Sequence, residues 1–173
     1  ELTPHGPSVD LDRLTAPRAS GRSRDRTKLD ACIDSLLLDR PLHWVLLAMT
    51  EIHEDPAATT MAVGTTEHGT IKLFFNPRFV RRISSEQCKG VLLHELNHVL
   101  LGHLRPPEDI DRPAAWRYAC ECSANEFIPY PLPGRPITIQ SMDLPPMEST
   151  LTRYEKLKER KGLLSHPCSG IIA

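Results

Sequence analysis

The sequence predicts an α+β fold: a small antiparallel β-hairpin packed on one long helix, with a second amphipathic helix after it and helices before it. Three observations carry this expectation. "ATTMAVGT" (58–65) and "TIKLFFN" (70–76), both rich in strand-favouring residues, flank the turn residues Glu67-His68-Gly69. "GVLLHELNHVLLGHLRP" (90–106) has apolar residues at helical spacing. "PAAWRYACECSANEFI" (113–128) is a further helical run in which Glu121 stands among small and apolar residues.

Residues 1–26 mix Pro, Ser, Gly and Arg without apolar periodicity, so a flexible arm with solvated basic groups is expected. Leu29, Cys32, Ile33, Leu36 and Leu37 then set a helix over 27–39. Pro41 suits the first turn of a second helix, "PLHWVLLAMTEIHED", which Pro56 ends. After the hairpin, "NPRFVRRI" reads as a connector. Ser84 with Gln87 forms a capping box that opens the long helix from about Ser85 to the Gly102-His103 region. Pro106-Pro107 prevents continuation. "PYPLPGRP" is a loop, and "STLTRYEKLKERKG" is a last helix, capped by Ser149 or Thr150 and closed by Gly162. One domain over 27–162 and a weakly patterned tail over 163–173 suit the length of 173 residues.

Charged residues make up 25% and apolar residues 40%, a globular composition. Net charge is −1, from 21 basic and 22 acidic residues, which gives no electrostatic reason to expect nucleic acid or an anionic membrane as partner. No apolar run approaches the ~18 residues of a membrane span. Cys32, Cys88, Cys120, Cys122 and Cys168 have no regular spacing and read as free thiols of a reducing, cytoplasmic compartment.

The long helix divides its faces. At 100° per residue, with His94 at the origin, His98 falls near 40° and Glu95 near 100°. Leu92, Leu93, Leu96, Val99 and Leu100 fall between about 140° and 260°. One side packs on the core while His94-Glu95-Leu96-Asn97-His98 turns two imidazoles toward a cleft. Two imidazoles one turn apart can bind one Zn²⁺ at ~2.0–2.1 Å, and the adjacent Glu95 can take the proton of an attacking water. A catalytic zinc takes three protein ligands. His103, on the same helix, falls near 180°, in the apolar stripe, and would join the ion only if the chain turned back at Gly102. It reads as a histidine bonding the carbonyls of a helix C-terminus. Glu121 is the favoured third ligand, since an unpaired carboxylate there would be costly to bury. Asn125, one turn on, is placed to hydrogen-bond a ligand imidazole.

These residues resemble the gluzincin class of zinc metallopeptidases, in which HExxH on one helix is completed by a Glu on a following helix. "HELNHVLLGH … ECSANEFIPYP" is similar to the ImmA/IrrE-type metallopeptidases. "LFFNPRFVRRIS", "VLLHELNHVLLGHLR", "WRYACECSANEFI" and "LTRYEKL" resemble the bacterial metallopeptidase-like domain found before von Willebrand A-like modules, so the likeness covers roughly 70–160. The resemblance implies a zincin-like fold, one Zn²⁺ held by His94, His98 and Glu121, and Glu95 as base. That second family often has Asp where Glu121 stands.

Peptide hydrolysis also needs an oxyanion stabiliser. Tyr118, Tyr130, Tyr154 and Arg153 are candidates, with Tyr130 placed first because it leaves the glutamate helix. As in other gluzincins, "TIKLFFN" is a candidate to pair with an extended substrate. Cys120 and Cys122 project about 160° apart on a helix and read as packing thiols, not as joint ligands. Cys168 is considered as a cysteine switch. His43, His53 and His68 lack partners at ligand spacing. The expected activity is zinc-dependent endopeptidase action on a specific protein or peptide substrate. The alternative is a non-catalytic zinc-binding regulatory or interaction module.

Overall fold

The computed structural model describes residues 24–160, and it starts the first helix, α1, at Arg24 (Arg24–Asp39) rather than at Thr27. The expectations for the rest of the arm, for the tail and for Cys168 lie outside the described residues. The start of α1 has partners. Arg81 forks onto Asp25 at 2.6 and 3.1 Å and holds that carboxyl below its usual value. Lys28 donates to the carbonyls of Val80 (2.8 Å) and Ile83 (2.5 Å).

The second helix, α2 (Pro41–Ala48), is shorter than expected. The Thr50 hydroxyl closes it by donating to the Leu46 carbonyl at 2.7 Å. Glu51–Glu54 leaves the helix to form β1, a strand the sequence reading missed. Tertiary pairing overrides the helical pattern here. β1 runs parallel to β3 (Ile71–Phe75), with Ile52 opposite Leu73, and the Asp55 N–H extends the ladder to the Phe75 carbonyl at 2.8 Å. β2 (Met61–Thr65) pairs antiparallel with β3, from Met61 opposite Phe75 to Thr65 opposite Ile71. The hairpin is therefore present, with Gly69 at φ +81° in its turn. The sheet, however, has the order β1-β3-β2 and is mixed rather than antiparallel.

The connector at Asn76 is also helical. α3 (Pro77–Arg82) is capped by the Asn76 side chain, which accepts from the Arg78 N–H at 2.8 Å, and Pro77 fills the first turn, where no N–H is needed. α4 (Ser85–Leu100) has the expected capping box between Ser84 and Gln87. Gly90 lies under the proline-rich loop. A Cβ there would stand 2.5 Å from the Pro131 carbonyl oxygen, so loop and helix pack backbone to backbone. α5 (Pro113–Asn125) and α6 (Thr150–Lys158), the latter capped by Ser149, complete the described chain.

Two apolar clusters result. The first joins α1, the sheet, α3 and the apolar side of α4, with Leu29, Leu36, Leu73, Phe75, Leu92, Leu93 and Leu96 at its centre. The second joins α5 and α6 through Ala115, Tyr118, Ala119, Cys122, Tyr154 and Leu157, covered by Ile139 and Leu144 of the loop between them. The polar side of α4 faces α5 across the seam between the clusters. Among the described residues no helix is long and apolar enough to cross a membrane.

Candidate metal centre

Leu92, Leu93 and Leu96 of α4 are buried in the first cluster, which turns His94 and His98 toward α5, while Leu100, expected in the same apolar stripe, is exposed at the helix end. Their Nε2 atoms lie 3.1 Å apart. Across the seam, the Glu121 carboxylate places Oε2 3.7 Å from His94 Nε2 and Oε1 3.7 Å from His98 Nε2. Ligand atoms bound tetrahedrally to one ion at ~2.05 Å stand about 3.3 Å apart, so two imidazoles and one carboxylate converge at the spacing a small divalent cation needs. Among the described residues, His94, His98 and Glu121 form the group of donors able to hold a metal. The donor set, two nitrogens and an oxygen from a nearly buried carboxylate, fits zinc chemistry.

The outer ring nitrogens are also engaged. His94 Nδ1 lies 2.7 Å from Asn125 Oδ1. The Asn125 amide is oriented because its Nδ2 donates to the Ile137 carbonyl at 2.8 Å, leaving Oδ1 for the imidazole. His94 therefore carries its proton on Nδ1 and has a lone pair on Nε2. His98 Nδ1 lies 2.9 Å from His103 Nδ1, whose Nε2 lies 2.9 Å from Thr150 Oγ1. Between the two histidines, Asn97 donates to the Ala124 carbonyl at 2.7 Å and accepts from His43 at 2.9 Å, pinning α4 to α5 and α2.

Glu95 is buried beside the histidines. Its Oε2 accepts from the backbone N–H of Val63 in β2 at 3.2 Å. Burial first, then the neighbouring Glu121 charge, push its carboxyl up to about 8 against the opposing Val63 hydrogen bond. Burial likewise raises Glu121 to about 7, while Arg117 pulls the other way. Burial holds His94 down to about 4, opposed by Asn125, and His98 well below its ordinary value. Neutral imidazoles beside raised carboxyls form a donor set that a divalent charge would compensate.

The structure corrects several expectations. His103 does not stand on the apolar side of α4. Gly102, at φ +72°, ends the helix in a Schellman turn: the Gly102 N–H bonds the Val99 carbonyl at 3.1 Å, and the His103 N–H bonds the His98 carbonyl at 2.9 Å. The chain turns back and lays His103 against His98, yet its ring stays behind that ligand candidate and outside the donor group. Tyr130 is engaged elsewhere: its hydroxyl donates to Asp39 at 3.1 Å, and Lys89 lies over its ring. The Tyr154 hydroxyl bonds Asp111, and Arg153 bonds Ser123 and Glu126. Tyr118 is buried in the second cluster. "TIKLFFN" forms the central strand, paired on both sides, so the sheet edge beside Glu95 belongs to β2. Cys120 and Cys122 are buried free thiols, as read. The sequence reading missed the roles of Val63 and Thr150, because backbone amides and distant hydroxyls carry no pattern, and it gave His43 no partner because Asn97 lies 54 residues away. Gly102 was the available signal for the turn at His103.

A protein of Thermotoga maritima described as "Uncharacterized protein" is 23% identical to this chain over 93 residues, which are 53% of this chain and 23% of that protein. The chain thus matches less than a quarter of that relative's length. No solved structure matches. The family model described as "Putative metallopeptidase domain" matches residues 24–155, a span holding His94, Glu95, His98 and Glu121, and the chain belongs to this family.

Proposed function

We propose that the chain is a gluzincin-type, zinc-dependent peptidase that hydrolyses bonds within a specific protein or peptide substrate, in the cytoplasm. His94, His98 and Glu121 hold one Zn²⁺, and Glu95 is the general base. The observation that supports this most is Glu95 itself. A structural metal site needs no buried carboxylic acid beside its first ligand, and here that acid is oriented by a backbone amide of the neighbouring sheet edge.

Zinc, when bound, supplies a Lewis acid that acidifies water and polarises the scissile carbonyl. The protein's own groups do the rest. Asn125 fixes His94 with Nε2 inward. Neutralising the Glu121 charge removes one of the two causes that raise Glu95, bringing it toward the range of a base at neutral pH. Glu95 then takes the proton of the attacking water and delivers it to the leaving amine. β2 supports the placement of an extended substrate. The bonds Thr66 N–H to Thr70 and Asn76 N–H to Thr60 make the even-numbered residues of β2 the ones hydrogen-bonded to β3, so Met61, Val63 and Thr65 turn their amides and carbonyls to the other edge, where the Val63 N–H is taken by Glu95 and its carbonyl is left for a substrate strand.

The test is metal analysis with peptide-library cleavage of the wild type and Glu95→Gln. Zinc retained at one per chain and cleavage reduced ~10²–10⁴-fold in the variant is the expected result. Zinc retained with unchanged cleavage removes Glu95 from the mechanism. Zinc bound by a wild type that cleaves nothing favours the non-catalytic module.

A further inference from the structure

We propose that His103 is a positioning residue for the metal centre and that, with Thr150, it fixes the tautomer and ring orientation of His98. The inference rests on the reading above, in which His98 offers Nε2 to the ion. That nitrogen must then keep its lone pair, so the His98 proton sits on Nδ1. The group facing it at 2.9 Å is His103 Nδ1, which accepts that proton's hydrogen bond only when the His103 proton sits on Nε2. His103 Nε2 in turn faces Thr150 Oγ1 at 2.9 Å, an acceptor for that second N–H. With His98 Nε2 reserved for the ion, the chain runs in one direction, His98 Nδ1–H to His103 and His103 Nε2–H to Thr150, whose hydroxyl can accept. It leaves His98 Nε2 bare toward His94 and Glu121.

His103 would otherwise be a helix-capping residue bonding free carbonyls, and the structure gives that role to other groups. The carbonyls of His98 and Val99 receive the backbone N–H groups of His103 and Gly102. Both ring nitrogens of His103 are committed to His98 and Thr150. The ring is buried and stands edge-on to Trp116 at 6.2 Å, which limits its rotation. His103 thus does for His98 what Asn125 does for His94. It also links the α4 ligands to Thr150, the first residue of α6.

Zinc affinity of the full chain, measured by competition with a chromophoric chelator, tests this apart from catalysis. His103→Phe removes the acceptor at similar size and should weaken zinc binding about 10–100-fold. His103→Asn, whose Oδ1 stands near the position of Nδ1, should recover most of that loss. Thr150→Val should weaken binding by a smaller factor, and it remains informative if His103→Phe does not fold. Melting of the metal-free proteins separates positioning from packing. A lowered melting temperature in His103→Phe with wild-type zinc affinity, or wild-type affinity in Thr150→Val, overturns the proposal. A wild type that binds no zinc instead overturns the metal-centre reading on which it rests.

Discussion

The two halves of the molecule are held together by different physics. The α1–sheet–α3–α4 half buries a block of leucines and phenylalanines, with polar contacts such as Arg81 on Asp25 at its margin. The α5–α6 half has a smaller apolar cluster and is locked by polar side chains. Arg153, fully buried, bonds Ser123 at 2.9 Å and Glu126 at 2.5 Å, Glu126 accepts from the Met147 N–H at 2.6 Å, and Tyr154 bonds Asp111. An apolar block tolerates small shifts, whereas a polar lock holds only in one arrangement, because a broken buried bond leaves its partner desolvated. The candidate metal centre draws two histidines from the first half and Glu121 from the second. It therefore reports whether the two halves are in register.

The largest expected effect is on this seam and follows from its titrations. In the metal-free chain Glu95 and Glu121 hold protons up to about 8 and 7, whereas in the unfolded chain both ionise near 4.5. The native state thus binds more protons between about pH 4.5 and 8, so stability fully present below about pH 4.5 is lost progressively and is gone once pH has risen through about 7 to 8. His94 and His103, held down to about 4 from 6.5, act oppositely and remove stability as pH falls from 6.5 toward 4. The melting temperature of metal-free protein should fall between about pH 6.5 and 8 and level off above that, and saturating zinc should flatten that fall. An alkaline slope unchanged by zinc would show that the ion does not engage these carboxyls.

Breaking each half separately sharpens the contrast. Arg153→Met leaves Glu126 buried without its partner and should cost about 3–5 kcal/mol, with hydrogen exchange rising first in α5 and α6. Leu92→Ala opens a cavity in the apolar block and should cost about 2–5 kcal/mol, at the lower end if the block collapses inward, with exchange rising across α1, α4 and the sheet. Identical exchange patterns for the two variants would mean that the halves unfold as one unit. The smallest effect is at Gly90→Ala. The added Cβ meets the Pro131 carbonyl at 2.5 Å, and overpacking of about 1–3 kcal/mol exceeds the helix-propensity gain of up to about 1 kcal/mol, for a net loss of up to ~2 kcal/mol by chemical denaturation.

What could be read in advance was local. The α4 capping box, the apolar stripe of Leu92, Leu93 and Leu96, the β2–β3 turn at Gly69, and the opposition of His94 and His98 to the core all follow from periodicity and turn chemistry within a few residues. Glu121 and Asn125 were legible because a carboxylate and an amide one turn apart on an otherwise small and apolar helix need a partner. β1 was not legible. Four residues with a helical pattern before them become a strand only because β3 offers an unpaired side. The edge role moved from β3 to β2 for the same reason.

His103 marks the boundary most clearly. The sequence by itself placed the metal motif on a helix and set which face it shows, because a 3.6-residue repeat fixes side-chain direction as long as the helix lasts. Only the tertiary structure decided what happens where the helix stops. A glycine in the left-handed region reverses the chain at 102, and the hydroxyl of Thr150, 47 residues further on, receives the ring that the reversal delivers. Glu95 is the same case, since its neighbour Val63 is an amide that no side-chain pattern names. Such contacts depend on the relative placement of whole elements, which the packing of the two apolar clusters sets.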